Sequence, residues 1–494
     1  MSINVEDVFK DTGIPTYTFV ESKEYLRTKV ALRTAGKGVI IEGPSGIGKT
    51  SCVKKAIEAL GYENPTFLSP LIPNQKDRIE HIMNCPDDAG TVIIDDFHRL
   101  DEVTKHAFAN ILKIGADESR TDFKLILIGI NQAGDSLVNL NREIINRIAT
   151  IKFEQNPEEK VRELITKGEK VMNVSFKHKE DIVTASAGSF HVAQMLCQRM
   201  CIESGIDSSQ SELTEITIPL GEVIKSLISE MDSAFGESIK TFARGNRNRS
   251  GGNRPYYKLL TFLSQSPAGT ISMNDIKRQH QDLKGSIVQI TEKKNDIGKS
   301  YIEQLIDRHE GIRNILFFDA VANSLTIEDP KVLFYLRNKD MIKLGKECGF
   351  NLETKTYPYE YAISFAGEQR DYAKALSEEL TRLDVNTFYD NDHAAEILGT
   401  DVEEYLKPIY ASESHYVVVF LDNYYPKKIW TAFESEQFSR RFGEDSVIPI
   451  LIDDYQIDTT SQYYKRGFYR LDTTSDPWSQ IKELAELLYK KAES

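Results

Sequence analysis

Two short stretches of this 494-residue chain hold residue types whose spacing could do chemistry. "GPSGIGKT", Gly43 to Thr50, is a complete G-x-x-x-x-G-K-[ST]. In such a loop Gly43, Gly46 and Gly48 let backbone N–H groups wrap phosphates, Lys49 reaches the β/γ oxygens, and the Thr50 hydroxyl ligates Mg2+. "KKIWTAFESEQF", Lys427 to Phe438, places Trp430 and Glu434 four residues apart, on one face if the stretch is helical. Glu436 lies about 200° further round such a helix and faces elsewhere. Whether Glu434 is a surface carboxylate or a reacting one depends on what surrounds it.

The elements around the first stretch give it meaning. The apolar strand "GVIIE" precedes it and the helix "SCVKKAIEAL" follows, the context in which this motif binds ATP. Residues 38 to 153 alternate apolar runs ("GVIIEG", "TFLSP", "TVIIDDF", "FKLILIGIN") with stretches of mixed polarity, the rhythm of a parallel sheet wound with helices. "TVIIDDF" sets Asp95 at a strand end, where P-loop proteins hold the metal, with Asp96 beside it. From Asn156 to about Ser204 the β-type runs disappear and helical periodicity takes over.

The rest of the chain divides by composition. "RGNRNRSGGNRP", Arg244 to Pro255, has no large apolar residue and reads as an exposed linker. After it come helical stretches and two β-like runs in "NILFFDAVANSLTIED", the order of a winged helix. From Tyr359 strand and helix alternate again: "YEYAISFAG", "EQRDYAKALSEELTRL", "VNTFYD", a loop "NDHAAEILGT", "DVEEYLKPIYASE", "HYVVVFL", and then the stretch carrying Glu434. The expected order is a P-loop core at 1–155, a helical lid at 156–243, a linker at 244–255, a winged-helix-like segment at 256–345 and a flavodoxin-like α/β domain at 357–492. Loops at the strand C-termini of such a sheet form the ligand crevice, so Phe365 and Ala366 after the first strand and Asp390 after the second share one edge.

Composition excludes some classes. With 61 Lys and Arg against 75 Asp and Glu, the net charge of −14 argues against a surface built throughout for nucleic acid. A local patch stays open: Arg244, Arg247, Arg249 and Arg254 lie beside Tyr256 and Tyr257, charge next to stacking surface, yet a solvated linker explains the same residues and "MNDIKRQHQDLKG" mixes signs. Five scattered cysteines imply no disulfide framework, and the "CQRMC" pair lacks the second Cys/His pair of a zinc site. The N-terminus has no apolar leader and the apolar runs are strand-length, so a cytoplasmic protein without a membrane span is expected.

The N-terminal 345 residues resemble the AAA and STAND-type ATPases, on the P-loop and "IIDD". That resemblance implies a water-orienting role for Asp96, where relatives usually carry Glu, and a γ-phosphate sensor at Asn131. It places an arginine at a neighbour's ATP site, with Arg147 before Arg142, and a weaker lid sensor at His191. Residues 357–492 resemble the bacterial TIR domain, on "AISFAGEQRDYA", "FYDNDHAAEILGTDV" and "IYASESHYVVVFLDNYYPKKIWTAFE". Many such domains cleave NAD+ at the nicotinamide–ribosyl bond with the glutamate of a W-x-x-x-E, which implies catalysis by Glu434 and NAD+ contacts at Trp430, Phe365, Ala366 and Asp390. It also implies that the loop Asn391 to Thr400 moves or packs on a neighbouring TIR domain.

The combined layout resembles immune effectors in which an ATP- and Mg2+-dependent switch forms a homo-oligomer that turns on NAD+ cleavage, here an antiphage protein with a phage trigger or a partner sensor. The alternatives are a TIR scaffold without activity and an ATP-dependent DNA-binding protein.

Overall fold

In a computed structural model of the chain, the described residues are 2–86, 89–121, 123–130, 146–246, 253–292, 298–350, 352, 357–427, 446–459, 461, 463–464 and 466–493. Contacts divide the chain into two compact units: Met1–Ser238 with Thr261–Ser272 and Glu310–Lys339, and Ile239–Leu260 with Met273–His309 and Asp340–Ser494. The division does not follow chain order, because alternate pieces of the 261–339 stretch join different units.

The first unit is built on β1 (Gly38–Glu42), β2 (Thr66–Leu68), β3 (Thr91–Ile94), β4 (Lys124–Gly129) and β5 (Ile148–Lys152), a parallel sheet in the order β2-β3-β4-β1-β5. β1 and β4 are buried along their whole length, as strands covered on both faces must be. Their apolar runs split by the two-residue period of a strand. Ile40, Val92, Ile94, Leu125 and Leu127 join Phe108 and Leu112 of α2 (Glu102–Asp117) in one core. Val39, Ile41, Ile93, Ile126 and Ile128 join Val53, Ala56 and Ile57 of α1 (Lys49–Leu60) in the other. The P-loop leaves the carboxyl end of β1 and the Asp95–Asp96 pair leaves the same end of β3, with β4 between them.

Helices α3 (Glu158–Met172) and α4 (Phe190–Glu203) follow. Within the stretch from Asn156 to about Ser204, read as helical, one three-residue strand also forms, β6 (Val174–Phe176), which pairs in parallel with β7 (Thr214–Ile216) beyond it. Strands that short leave no alternation to read. α5 (Leu220–Arg244) comes next. β8 (Thr270–Ser272), β9 (Leu316–Asp319) and β10 (Ser324–Ile327) form a small antiparallel sheet, β8-β10-β9.

The second unit contains α6 (Gln281–Thr291) and α7 (Tyr301–Arg308), the latter started by a capping box at Ser300 and Glu303. Its sheet is parallel, β12-β11-β13-β14-β15, from β11 (Tyr359–Ser364), β12 (Thr387–Phe388), β13 (Ser414–Leu421), β14 (Val447–Ile452) and β15 (Tyr469–Leu471). The chain steps from β11 to β12 on one side, then crosses to β13 on the other, so the switch point of the sheet lies between β11 and β13. α8 (Arg370–Arg382) packs Ala373, Leu376 and Leu380 on one face, and Ala362, Phe388, Val417 and Val419 build the core of the other. The stretch "NDHAAEILGT", expected as a loop, holds a 3-10 turn at Asp390–His393 and a one-turn helix at Ala394–Ile397. Two alanines and a glutamate, good helix formers, account for the difference. Among the described residues no helix is long and apolar enough to cross a membrane.

Candidate functional site

The P-loop closes on a cavity of about 460 Å3 at the carboxyl edge of the first sheet. Glycine is required at Gly43, where φ is +153° and a Cβ would lie 2.5 Å from the Phe153 carbonyl oxygen, and at Gly46, where φ is +72° and a Cβ would lie 2.7 Å from Pro330. The N–H groups at the start of α1 face the loop and favour an anion. Lys49 donates to the Gly43 and Pro44 carbonyls at 2.8 and 2.7 Å. Burial pushes its ammonium down to about 8, against the pull of Asp95 and Asp96.

The two acids differ in their surroundings. Thr50 Oγ1 donates to Asp95 Oδ2 at 2.7 Å, and the Asp96 N–H donates to Asp95 Oδ1 at 3.1 Å. Hard oxygens from Thr50 and Asp95 at one point suit Mg2+, whose remaining ligands would be waters and phosphate oxygens. Asp96 sits in the left-handed region at φ +55° and accepts from Ser69 Oγ at 2.9 Å. Burial, then the charge of Asp95, raises its pKa above the ordinary aspartate value. His191 lines the cavity; its N–H donates to the Gly46 carbonyl at 3.3 Å, its Nε2 is 3.6 Å from Asp11 Oδ1, and burial lowers its pKa. Arg147 donates from Nε to Asp117 Oδ1 at 2.6 Å, within its own unit. Asn131 and Arg142 lie outside the described residues.

Three further segments line this cavity without a motif to announce them. Pro15, Phe19 and Val20 come from the N-terminal segment, Leu164 and Phe190 from α3 and α4, and Glu328, Asp329 and Pro330 from the end of β10. Glu328 accepts from His98 Nε2 at 2.5 Å and Arg99 Nε at 2.9 Å, and pairs with the Arg99 Nη2 as well. Lys331 donates to Asp11 Oδ2 at 2.6 Å. His98 and Arg99 follow Asp95–Asp96 after Phe97, so the polar "HR" shortly after an apolar strand is the one signal that could have pointed here.

In the second unit, Phe365 and Asp390 come together through Arg370. The guanidinium stands 5.2 Å above the Phe365 ring and 3.5 Å from Asp390 Oδ1, while Tyr389 packs against Phe365 at 5.6 Å. Ala366 is 1% exposed and its side chain belongs to the core, which leaves only its backbone for the crevice. Trp430, Glu434 and Glu436 lie outside the described residues, as do Arg247 and Arg249. Tyr256 is buried, whereas Arg244 and Tyr257 are partly so. Gly285 of α6 abuts Asn386 and Tyr359, and Gln289 donates to the Thr381 carbonyl at 3.2 Å, so that face of α6 is covered by the flavodoxin-like domain.

Residues 362–488 match the family model described as "TIR domain". Among curated proteins, the 3′ cyclic ADP-D-ribose synthase AaTIR of Aquimarina amphilecti is 34% identical over 109 residues, 22% of this chain. The matched stretch spans 33% of that relative's length. Among solved structures, the Holliday junction branch migration motor RuvB of Thermotoga maritima covers 66% of this chain with all of its own, at 16% identity and a TM-score of 0.34. The ORC2 protein of Aeropyrum pernix covers 70% of this chain with 99% of its own, at 12% identity and a TM-score of 0.36. Those two likenesses are too slight to bear on function. The C-terminal part of the chain is a TIR domain on a parallel five-stranded sheet, and the N-terminal part carries a P-loop on another.

Proposed function

We propose that the chain is a nucleotide-controlled effector whose TIR domain cleaves NAD+ at the nicotinamide–ribosyl bond. The observation that carries this is the TIR match over 362–488, beside 34% identity over 109 residues to a 3′ cyclic ADP-D-ribose synthase, in a sequence whose W-x-x-x-E is complete at Trp430 and Glu434. Nicotinamide leaves as a neutral base from a cationic ring, so no general acid is needed. The barrier is the oxocarbenium-like ribosyl centre, and a carboxylate beside it stabilises the developing charge. Glu434 takes that role, with Trp430 flanking the ligand and Phe365, Asp390 and the Ala366 backbone forming the far wall.

The nucleotide end acts as the control. Lys49 exchanges its carbonyl partners for β/γ-phosphate oxygens, Thr50 and Asp95 hold Mg2+, and Asp96 orients the attacking water. When bound, Mg2+ neutralises charge on the phosphates. ATP binding favours a homo-oligomer, to which Arg147 contributes at the neighbour's site, and clustering raises the local concentration of TIR domains that associate weakly alone. The setting is antiphage defence, with a phage component or partner protein as trigger. The DNA-binding alternative loses support from the covered face of α6, part of the stretch it would need for reading bases.

The test is NAD+ turnover with product identification, with ATP and with forced clustering, for wild type, Glu434→Ala and Lys49→Ala. Glu434→Ala is expected to lose turnover in both conditions, and Lys49→Ala to lose it with ATP and regain it under forced clustering. Wild-type protein that leaves NAD+ intact in every clustered state overturns the enzyme reading in favour of a scaffold.

A further inference from the structure

The loop after β13 begins with a buried carboxylate that no step above uses. Asp422 is 5% exposed and stands at the carboxyl end of β13, at the switch point where open α/β sheets hold their ligands. Its Oδ1 accepts from the N–H groups of Tyr424 and Tyr425 at 2.8 and 2.7 Å, folding the loop into a tight turn. Its Oδ2 accepts from Gln369 Nε2 at 2.7 Å. Gln369 is itself buried and closes the 3-10 turn Gly367–Gln369 that follows Phe365 and Ala366. Three residues past Asp422 a second tie repeats the connection: Tyr425 and Ser364, both buried, share a hydrogen bond of 2.5 Å between their hydroxyls. Ser364 is the last residue of β11.

Two loops are thus stapled at two points. One carries Phe365 and Ala366. The other leads, eight residues after Asp422, to Trp430 and four residues later to Glu434. A buried carboxylate is costly unless its lone pairs are filled, and here three neutral donors, the Tyr424 and Tyr425 N–H groups and Gln369 Nε2, fill them. Such a group holds shape and does not seek a ligand.

We propose that Asp422 is a positioning residue for NAD+ cleavage. Its carboxylate sets the take-off of the chain toward Glu434 relative to the Phe365 wall, with Gln369 and the Tyr425–Ser364 pair as its supports. This rests on the NAD+ reading above. The chemistry asks for such a device, because the glutamate must meet the ribosyl carbon while the opposite wall holds the rest of the dinucleotide, and a misplacement of about 1 Å can cost on the order of a hundredfold in rate.

The experiment uses the full chain in its clustered state and measures kcat and KM for NAD+ separately, beside the thermal transition of each variant. Asp422→Ala should lower kcat/KM at least roughly tenfold with kcat falling as well as KM rising. Asp422→Asn keeps the oxygen for Tyr424 and Tyr425 and can donate its amide to Gln369 Oε1, so it should return most of the activity. Gln369→Ala and Tyr425→Phe should each give a smaller loss, and the double variant Gln369→Ala/Asp422→Ala no more than Asp422→Ala alone. An Asp422→Asn as inactive as Asp422→Ala would show that the charge acts and not the geometry, overturning the proposal. So would an Asp422→Ala with wild-type kcat and KM, or losses that only follow the thermal transition. Absence of turnover in wild type is a different result: it removes the NAD+ reading, and the proposal with it.

Discussion

In the P-loop cavity every ionic group that the motif supplies already has a protein partner, whereas at the TIR strand edge the ionic groups stand at an open rim. Lys49 is held by carbonyls, Asp95 by Thr50 and Asp96 by Ser69, and the whole set sits inside a cavity closed by three distant segments. Arg370 and Asp390 keep 47% and 34% of their side-chain surface and only graze one another at 3.5 Å. A site that stores its charges against itself must exchange partners to take a ligand, which suits a switch. A rim with open charges gains a ligand without that exchange and depends on how its walls are held.

The comparison breaks most sharply at Glu434. Glu434→Ala should abolish NAD+ turnover, a loss of roughly a hundredfold or more if the carboxylate supplies the charge stabilisation assigned to it, while Glu436→Ala should turn over NAD+ as wild type does. A discontinuous assay of nicotinamide release checks both. Equal losses in the two variants would reduce Glu434 to one more surface carboxylate.

Next in size is the nucleotide site. Lys49→Ala should remove measurable ATP binding by calorimetry. In the wild type the Lys49 ammonium titrates near 8 in the free protein because burial disfavours its charge, and a bound phosphate pulls the proton back on. Below pH 8 the charge is present and affinity is flat. Above it binding must take up a proton, and Kd should rise by up to roughly tenfold per pH unit until the pKa of the bound form is reached. KM for NAD+ measured over the same pH series gives the comparison at the TIR rim. A flat Kd across pH 7.5 to 9 would mean that Lys49 is not the group that meets the phosphate.

The cavity's outer wall gives the third test. Arg99 and Glu328 form a partly buried pair, with 14% and 13% of their side-chain surface exposed. Removing one partner leaves the Arg99 charge partly buried with only the Arg313 carbonyl, among the described residues, to accept from it, a loss that costs more than deleting both charges together. Glu328→Ala should therefore lower the thermal transition of the first unit more than the double variant Arg99→Met/Glu328→Leu, and should speed nucleotide release as the wall loosens. A double variant worse than the single one would mean that the pair itself stabilises the wall.

What could be read in the sequence was what is local. "GPSGIGKT" is contiguous, the fully buried β1 and β4 announce themselves as apolar runs, and the TIR strands alternate with helices long enough to show a period. The cavity walls could not be read, because the contact of Asp11 with Lys331 joins residues 320 apart and neither sits in a motif. Nor could the Asp422 turn: "FLDNYYP" carries an ordinary turn signal, and only the fold reveals that Gln369 waits across the switch point. Three-residue β6 and β7 fall below the length at which alternation means anything. Ala366 shows the remaining limit, since topology puts it at the right edge but not which way its Cβ turns.

The smallest expected effect separates a surface charge from an assembly residue. Arg147 pairs with Asp117 at 2.6 Å, and the two side chains keep 31% and 49% of their surface. Exposed pairs of this kind contribute roughly 0–1 kcal/mol, so Arg147→Ala should leave the thermal transition nearly unchanged. If Arg147 also serves a neighbour's ATP site, the pair with Asp117 is its resting partner and assembly its working one. ATP hydrolysis in the variant should then fall under conditions that drive oligomers and stay at the wild-type level in dilute protein, whereas Asp117→Asn should release the arginine and raise the oligomer-dependent rate. Hydrolysis unaffected at every concentration would return Arg147 to the surface and leave Arg142 as the arginine to test.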